Sequence, residues 1–223
     1  MKLIRRPRRL RELSLAKAMT RECSLHKKDF VLPVFVSDHC ETKEPIESMP
    51  EVYRWSVDAI VTQVAHWKAI GLNAFALFPC VMHEKKCSTG KEAINPNSIS
   101  FQAAKKIKEY HKDTLLIADI ALDPFTDHGH DGILDSSGKV DNDLTVEILC
   151  KSALIAAQSG FDVVAPSDMM DGRVGEIRKS LDEAGFEHIA ILAYSAKFCS
   201  AYYGPFRDAI SSSQKEPIDK SGY

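Results

Sequence analysis

The chain lacks the features that place a protein in or across a membrane. No stretch approaches the roughly 20 consecutive apolar residues that a membrane-spanning helix needs, and the N-terminus has no apolar signal-peptide core. We therefore expect a cytoplasmic protein with no membrane partner.

A strong charge of one sign is also missing. Lysine and arginine total 29 against 31 aspartate and glutamate residues, which gives a formal net charge of -2. Without a global positive field, the sequence predicts no nucleic-acid partner. The 223 residues are 44% hydrophobic and 27% charged, a composition typical of a globular protein that can bury a core.

Cysteine is too sparse for a disulfide framework, since the six cysteines are dispersed through a chain of moderate length. Cys80, His83 and Cys87 have a spacing that could supply three zinc ligands, with Cys40 as a possible fourth. The competing interpretation is that these cysteines pack as small hydrophobic side chains.

Residues 1–28 differ from the rest because five arginines surround Pro7, with Glu12 as the only nearby acid. We interpret this segment as an N-terminal arm. A solvated or disordered arm, an arm that docks on a neighbouring subunit, a nucleic-acid contact and an organelle transit peptide all stay open.

After the arm, short apolar runs alternate with segments of helical spacing, which predicts repeated βα units. The expected strands are 30–36, 73–79, 114–122, 161–166 and 188–194, and the expected helices are 56–70, 98–110, 142–159 and 174–184. The runs are continuously apolar, as in a parallel sheet buried on both faces. Asn142 or Asp143 and Asp171 are the expected caps of the last two helices.

The fold class predicted from this pattern is α/β, as a (β/α)8 TIM barrel with an N-terminal arm. No GxGxxG sequence follows the first strand, which disfavours a dinucleotide-binding sheet. Only about five of eight βα units are recognisable, so we expect the barrel to be incomplete, with residues 29–223 forming a partial TIM-barrel catalytic domain.

In such a barrel, catalytic groups lie at the C-terminal ends of the strands. Polar side chains concentrate there: Asp119, Asp123, Asp127, His128, His130, Asp131, Ser167, Asp168, Asp171 and Lys197. Lys197 follows a buried strand, where burial or a nearby cation would lower the pKa of its amine and allow Schiff-base formation with a ketone. A lysine that snorkels to water is the alternative.

The loop 119–132 carries carboxylates and imidazoles but no thiol. Oxygen ligands favour magnesium over zinc, so a metal site of that kind is one interpretation of the loop. Asp and Gly at this density also simply form turns.

Four long motifs give the chain a close resemblance to the delta-aminolevulinic acid dehydratase (porphobilinogen synthase) family. They are PIESMP at 45–50, LDPFTDHGHDG at 122–132, APSDMMDGR at 165–173, and YSAKF at 194–198 followed by YGPFRD at 203–208. The similarity extends from the arm to the final residues.

The resemblance implies a lyase of tetrapyrrole (haem) biosynthesis that condenses two 5-aminolevulinate molecules to porphobilinogen with loss of two waters. It implies catalytic roles for Lys197, as a Schiff-base lysine, and for Asp119, in proton transfer. Substrate-binding roles are implied for Arg207, Lys220, Ser167 and Tyr203. Assembly into a homo-octamer through the arm is also implied.

The resemblance further implies which metal the protein uses. Zinc-dependent members carry three cysteines where this chain has Ala121, Asp123 and Asp131, so catalytic zinc is not expected. The magnesium-responsive branch binds the ion at an allosteric position. Arg6 and Asp171 are the matching residues near it, and we expect the acidic ligand itself to lie beyond residue 223.

The family's second Schiff-base lysine, in a Met-Val-Lys-Pro strand, has no counterpart in these residues. We therefore expect a fragment lacking the C-terminal third, whose own activity is open. Two other functions are carried as alternatives: a catalytically silent oligomerisation module, and another Schiff-base aldolase on a barrel.

Overall fold

The computed structural model describes residues 4–39, 41–197, 200 and 203–211. In chain order the strands are β1 (Leu32–Ser37), β2 (Lys43–Pro45), β3 (Tyr53–Trp55), β4 (Ala74–Cys80), β5 (Leu115–Ile120), β6 (Ile133–Leu134), β7 (Val140–Asp141), β8 (Val163–Pro166) and β9 (Ala190–Ile191). The helices are α1 (Arg9–Glu12), α2 (Ser14–Met19), α3 (Val57–Ala69), α4 (Ile99–Tyr110), α5 (Asn142–Gln158), α6 (Arg173–Glu183) and α7 (Tyr203–Ala209).

The five predicted strands form one parallel sheet in the order expected for consecutive βα units. The full order is β2-β3-β1-β4-β5-β8-β9, in which only the β2–β3 pair is antiparallel. Within the described residues the sheet does not close on itself. Because successive parallel strands are neighbours, their C-terminal ends lie along one edge, where the predicted polar residues follow β5, β8 and β9.

The main core lies between the sheet and helices α3 to α6. Each helix contributes an apolar stripe, such as Ile60 and Val64 of α3 and Ile177 and Leu181 of α6, which are fully buried. A second, smaller cluster lies apart from it and includes Phe35 of β1, Phe78 of β4 and Ile210 after α7.

The last strand is shorter than the sequence predicted. Only Ala190–Ile191 of the expected strand 188–194 is regular strand, although Leu192 and Tyr194 continue to donate backbone hydrogen bonds to Val164 and Pro166. Among the described residues β9 pairs only with β8, so it has a ladder on one side and no second neighbour to regularise its end.

Two predicted helix caps were wrong. Asp141, and not Asn142 or Asp143, caps α5 by accepting a hydrogen bond from the Leu144 N–H. Helix α6 begins after Gly172, whose φ of 78° allows the turn without a side-chain cap. Asp171 lies outside that helix, and its own N–H donates to the Asn142 side chain.

The arm contains the two short helices α1 and α2, and neither buries a side chain. Leu10, Leu13, Leu15 and Met19 are each more than half exposed. The boundary of the arm at residue 28 and its role in assembly stay predictions.

The loop between β5 and α5 contains a small hairpin, β6–β7, that the sequence did not predict. Strands β6 and β7 pair antiparallel, and Thr145 of α5 accepts a hydrogen bond from the Ile133 N–H. Gly132 lies where this hairpin meets α5: a Cβ there would lie 2.5 Å from Val140 Cγ1 and 2.8 Å from Thr145 Oγ1. Glycine therefore permits the close approach that fixes the loop.

We predict that Gly132→Ala destabilises the fold by about 1–3 kcal/mol, because the added methyl overpacks the hairpin. Gly175→Ala in α6 is the matched control, since a Cβ there meets nothing within 4 Å and alanine favours helix. Urea unfolding of both variants measures the effect. An equally stable Gly132→Ala protein would contradict the packing described for this loop.

Candidate active site

A cavity of about 790 Å³ reaches the C-terminal ends of the parallel strands and extends along β1 to α3. Five of the residues singled out from the sequence line it: Asp119, Asp123, Ser167, Lys197 and Tyr203. Aromatic and aliphatic side chains, including Phe78 and Phe206, form most of the remaining wall, together with the polar side chains of Lys43, Glu51, Gln63 and Ser200. Such a cavity, apolar with a few convergent polar groups, is typical of a small-molecule site.

Lys197 lies among carboxylates and backbone oxygen. Its Nζ is 3.6 Å from the buried carboxylate of Asp131 and donates a hydrogen bond to the Ser167 carbonyl oxygen. The side chain is 20% exposed, so the amine is accessible from the cavity while most of its stem is covered.

The expectation that the pKa of Lys197 is lowered was wrong. Burial favours the neutral amine, but attraction to Asp131 and Asp123, with smaller contributions from Tyr203 and Asp119, outweighs it and raises the pKa above the usual 10.5. The sequence argument considered burial and a nearby cation and missed this convergence of acids. In the resting site Lys197 is therefore an ammonium.

Asp119 is the acid best suited to exchange a proton. It projects from β5, and Ser167 Oγ donates a 2.6 Å hydrogen bond to its Oδ1. Burial raises the pKa of Asp119 to about 6, although the Ser167 hydrogen bond and Lys197 oppose the change. A carboxyl group with this pKa can both accept and return a proton near neutral pH.

A second buried acid, Asp168, has its pKa raised to about 6 by burial. Its Oδ1 accepts from the Met170 N–H at 2.8 Å, and its Oδ2 lies 3.3 Å from Arg173 Nε without a well-aligned hydrogen bond. Arg173 also donates to the carbonyl oxygen of Tyr194 at 2.8 Å, three residues before Lys197. This arginine therefore connects the loop after β8 to the segment that carries the lysine.

Sequence reasoning did not single out Arg173 or Tyr194 as site residues. Arg173 ends the motif APSDMMDGR, which was the available signal, whereas the contact with a backbone carbonyl leaves no mark in the sequence. Tyr194 lines the cavity directly.

Arg207 is not part of the cavity lining. Its guanidinium lies 5.7 Å from the centre of the Tyr203 ring, a cation–π distance, so it adjoins the site through that ring. Lys220, the other predicted carboxylate-binding cation, lies outside the described residues, as does Cys40 of the alternative zinc set.

The alternative zinc ligands are not gathered in the described part of the chain. Cys80 is buried and contacts Ser211 and His39. Cys87 forms a hydrogen bond with the Thr89 hydroxyl, and His83 is exposed. Among residues 4–39, 41–197, 200 and 203–211, no group of three His, Cys, Asp or Glu side chains is arranged to hold a metal ion.

Comparison with known proteins assigns the family. The sequence model of delta-aminolevulinic acid dehydratase matches residues 4–223. The chain belongs to the delta-aminolevulinic acid dehydratase family. Delta-aminolevulinic acid dehydratase of Bradyrhizobium diazoefficiens is 44% identical over 98% of this chain and 62% of its own length, and the chloroplastic dehydratase 1 of Arabidopsis thaliana is 43% identical over 96% and 50%.

The solved dehydratase (porphobilinogen synthase) of Toxoplasma gondii ME49, in complex with the reaction product porphobilinogen, is 44% identical to this chain. It superposes with a TM-score of 0.94 over 99% of this chain and 63% of that one. The match confirms the predicted α/β barrel fold, of which the described sheet is an open part. The chain thus spans about one half to two thirds of the dehydratases it matches.

Two further observations concern the predicted location of the protein and its relation to membranes. Relatives from plants, such as that of Arabidopsis thaliana, are chloroplastic, so the cytoplasmic location stays a prediction. In the part of the chain that the structure describes, no helix combines the length and the apolar character needed to cross a bilayer.

We predict a pH-dependent cost of burying Asp119. Its carboxyl keeps a proton up to about pH 6 in the fold but only to about 3.8 when unfolded, so the parent loses stability as the pH rises from 4 to 6. Asp119→Asn removes this dependence, and its stability relative to the parent should grow by about 1–3 kcal/mol over that range. Urea unfolding at several pH values measures the difference.

Asp135→Asn is a control in which stability relative to the parent should change with pH in the opposite direction. Hydrogen bonds from Ser137 and Lys139 lower the pKa of Asp135 below 3.8, so its ionised form stabilises the fold, and this variant should lose stability relative to the parent as the pH rises to and through about 4. A stability difference between parent and Asp119→Asn that is constant from pH 4 to 7 would contradict the assigned ionisation.

Proposed function

We propose that this chain carries out Schiff-base chemistry of porphobilinogen synthase, in which two 5-aminolevulinate molecules condense to porphobilinogen with loss of two waters. The observation that supports this most is the Lys197 amine, which faces the cavity beside Asp119 and Ser167. The Toxoplasma gondii relative, which binds porphobilinogen, supports the same substrate class. The reaction belongs to tetrapyrrole biosynthesis.

The first step is imine formation at Lys197. The ammonium must lose a proton before its nitrogen attacks the substrate ketone, and the neighbouring carboxylates are the nearest acceptors. The carbinolamine then loses its hydroxyl group as water, which requires a proton that Asp119 can supply because its pKa is about 6. The protonated imine withdraws electrons from the adjacent carbon and prepares it for bond formation.

The other predicted groups bind and orient the substrate in this proposal. Ser167 holds the Asp119 carboxyl through its hydroxyl, and Tyr203 forms part of the cavity wall. Arg207 and Lys220 are proposed to bind substrate carboxylate, for which a guanidinium or ammonium is the natural partner. The position of Arg207 against the Tyr203 ring, which lines the cavity, supports this role.

The loop residues do not fit catalytic zinc. Ala121 has no donor, and Asp131 is paired with Lys197, whose positive charge would repel a cation. Asp171 has an exposed carboxylate, a donor suited to magnesium, and Asn142 fixes the Asp171 backbone through hydrogen bonds with its N–H and carbonyl oxygen. Arg6 has no oxygen donor and would not bind the ion itself. We therefore propose magnesium as an allosteric ion near Asp171, without a catalytic metal.

We also propose that the chain assembles into a homo-octamer through its N-terminal arm. The exposed leucines and Met19 of the arm are the kind of apolar surface that another copy of the chain would cover.

Borohydride trapping tests the central step. With 5-aminolevulinate present, reduction of the imine should leave a stable adduct on Lys197, identified by peptide mass spectrometry. Lys197→Met should lose the adduct completely, whereas Lys179→Met, which removes an exposed lysine of α6, should keep it. An adduct that survives on another residue of Lys197→Met would overturn the assignment.

Two measurements separate the alternatives. Product analysis should give two equivalents of 5-aminolevulinate consumed per product for the synthase, but not for an aldolase. A silent oligomerisation module would show no labelling of Lys197 while its assembly stayed intact.

Magnesium removal is expected to lower any turnover, while a zinc-selective chelator leaves it unchanged. Adding magnesium should also raise the thermal midpoint of the parent, and Asp171→Asn should lose that increase. Glu183→Gln, an exposed acid at the end of α6, should respond like the parent. Sensitivity to zinc chelation, or an unchanged magnesium response in Asp171→Asn, would contradict the proposed ion.

A further inference from the structure

The C-terminal end of α7 is held by two cations from distant parts of the chain. Arg54 of β3 donates from Nε to the Ala209 carbonyl oxygen at 2.8 Å and from a terminal nitrogen to the Asp208 carbonyl oxygen. Lys86, in the loop after β4, donates to the Ser211 carbonyl oxygen at 2.9 Å. Together they bind three backbone oxygens at and just beyond the end of the helix, where carbonyl groups lack the intrahelical partners of the interior.

Both cations are buried, with 5% exposure for Arg54 and 8% for Lys86. Burying a cation costs free energy unless it is paired, and Arg54 is paired with Glu44 at 3.0 Å and Asp208 at 3.6 Å. Positive charge also matches the negative end of the helix dipole. The arrangement is therefore a specific anchor and not a surface contact.

The remainder of α7 is fixed by packing. The Phe206 ring lies 5.4 Å from that of Phe78 and 6.3 Å from that of Phe35, and Ala209 and Ile210 are fully buried. Ser48 adds two hydrogen bonds to the Asp208 carboxylate, at 2.6 and 3.1 Å.

The anchored helix forms one wall of the cavity. Tyr203 at its first turn and Phe206 one turn later line the same space as Lys197, while Arg207 lies against the Tyr203 ring. A displacement of α7 would therefore move Tyr203 and Phe206, which face the substrate, without moving Lys197 or Asp119.

We propose that Arg54 is a positioning residue, which fixes α7 so that Tyr203 and Phe206 stand at the correct distance from a substrate bound to Lys197. This inference rests on the proposed function. Arg54 does not line the cavity, and it acts through the Asp208 and Ala209 carbonyl oxygens.

The test compares two ketones in borohydride trapping on Lys197. 5-Aminolevulinate would contact the α7 wall, whereas acetone is small enough to need only the lysine. In Arg54→Met, the half-saturating concentration of 5-aminolevulinate should rise at least tenfold, and trapping of acetone should match the parent. Hydrogen exchange should accelerate in residues 203–211 and stay unchanged in β5.

Arg54→Lys is the control for a folding defect, because it keeps the positive charge near Glu44. It lacks the planar guanidinium that donates to both carbonyl oxygens at once. It should show the same selective effect at reduced size. Faster exchange in 203–211 with parental 5-aminolevulinate saturation would overturn the proposal. So would equal loss of acetone and 5-aminolevulinate trapping in Arg54→Lys. Failure of the parent to trap 5-aminolevulinate while it traps acetone would instead defeat the proposed function.

Discussion

The pairing of Lys197 with buried carboxylates is the interaction on which the rest of the site depends. Burial alone would lower the pKa of the Lys197 amine, yet attraction to Asp131, Asp123 and Asp119 raises it. The charge of Lys197, in turn, limits how far the pKa of Asp119 rises under burial. The lysine and the acids thus favour each other's charged forms, and a ketone substrate has a proton acceptor and a proton donor within one cavity.

The parallel sheet makes this pairing possible. Asp119, Ser167 and Lys197 are far apart in sequence, but they lie near or after the C-terminal ends of three strands that are neighbours in the sheet. Asp131 reaches the lysine from the loop after β5, which the β6–β7 hairpin and the missing side chain of Gly132 hold against α5. The stability of that loop and the charge of the lysine are therefore linked.

The sequence was sufficient to predict the sheet and its active edge, because continuous apolar runs and the rule that catalytic groups follow barrel strands do not depend on detail. It failed where a single contact decides the outcome. Asp141 caps α5 although Asn142 and Asp143 are equally plausible caps by residue type. The pKa of Lys197 took the opposite direction because no pattern reveals that Asp131 folds back onto it.

Arg54 illustrates the same limit at longer range. It lies in a short strand of mixed polarity, and nothing nearby in sequence indicates that it binds carbonyl oxygens more than 150 residues later. Contacts between a side chain and a distant backbone carbonyl carry no residue signature at the acceptor. Residues of this kind are found only once the structure places the two segments together.

The ionisation of Lys197 is the most direct measure of this account. Competitive acylation across a pH series, read by peptide mass spectrometry, gives the pKa of each lysine in the folded protein. The account predicts that Lys197 titrates above the usual lysine value of 10.5 and that Asp131→Asn shifts its titration to lower pH. A Lys197 that titrates at or below 10.5, or whose titration is unchanged by the loss of the Asp131 charge, would contradict it.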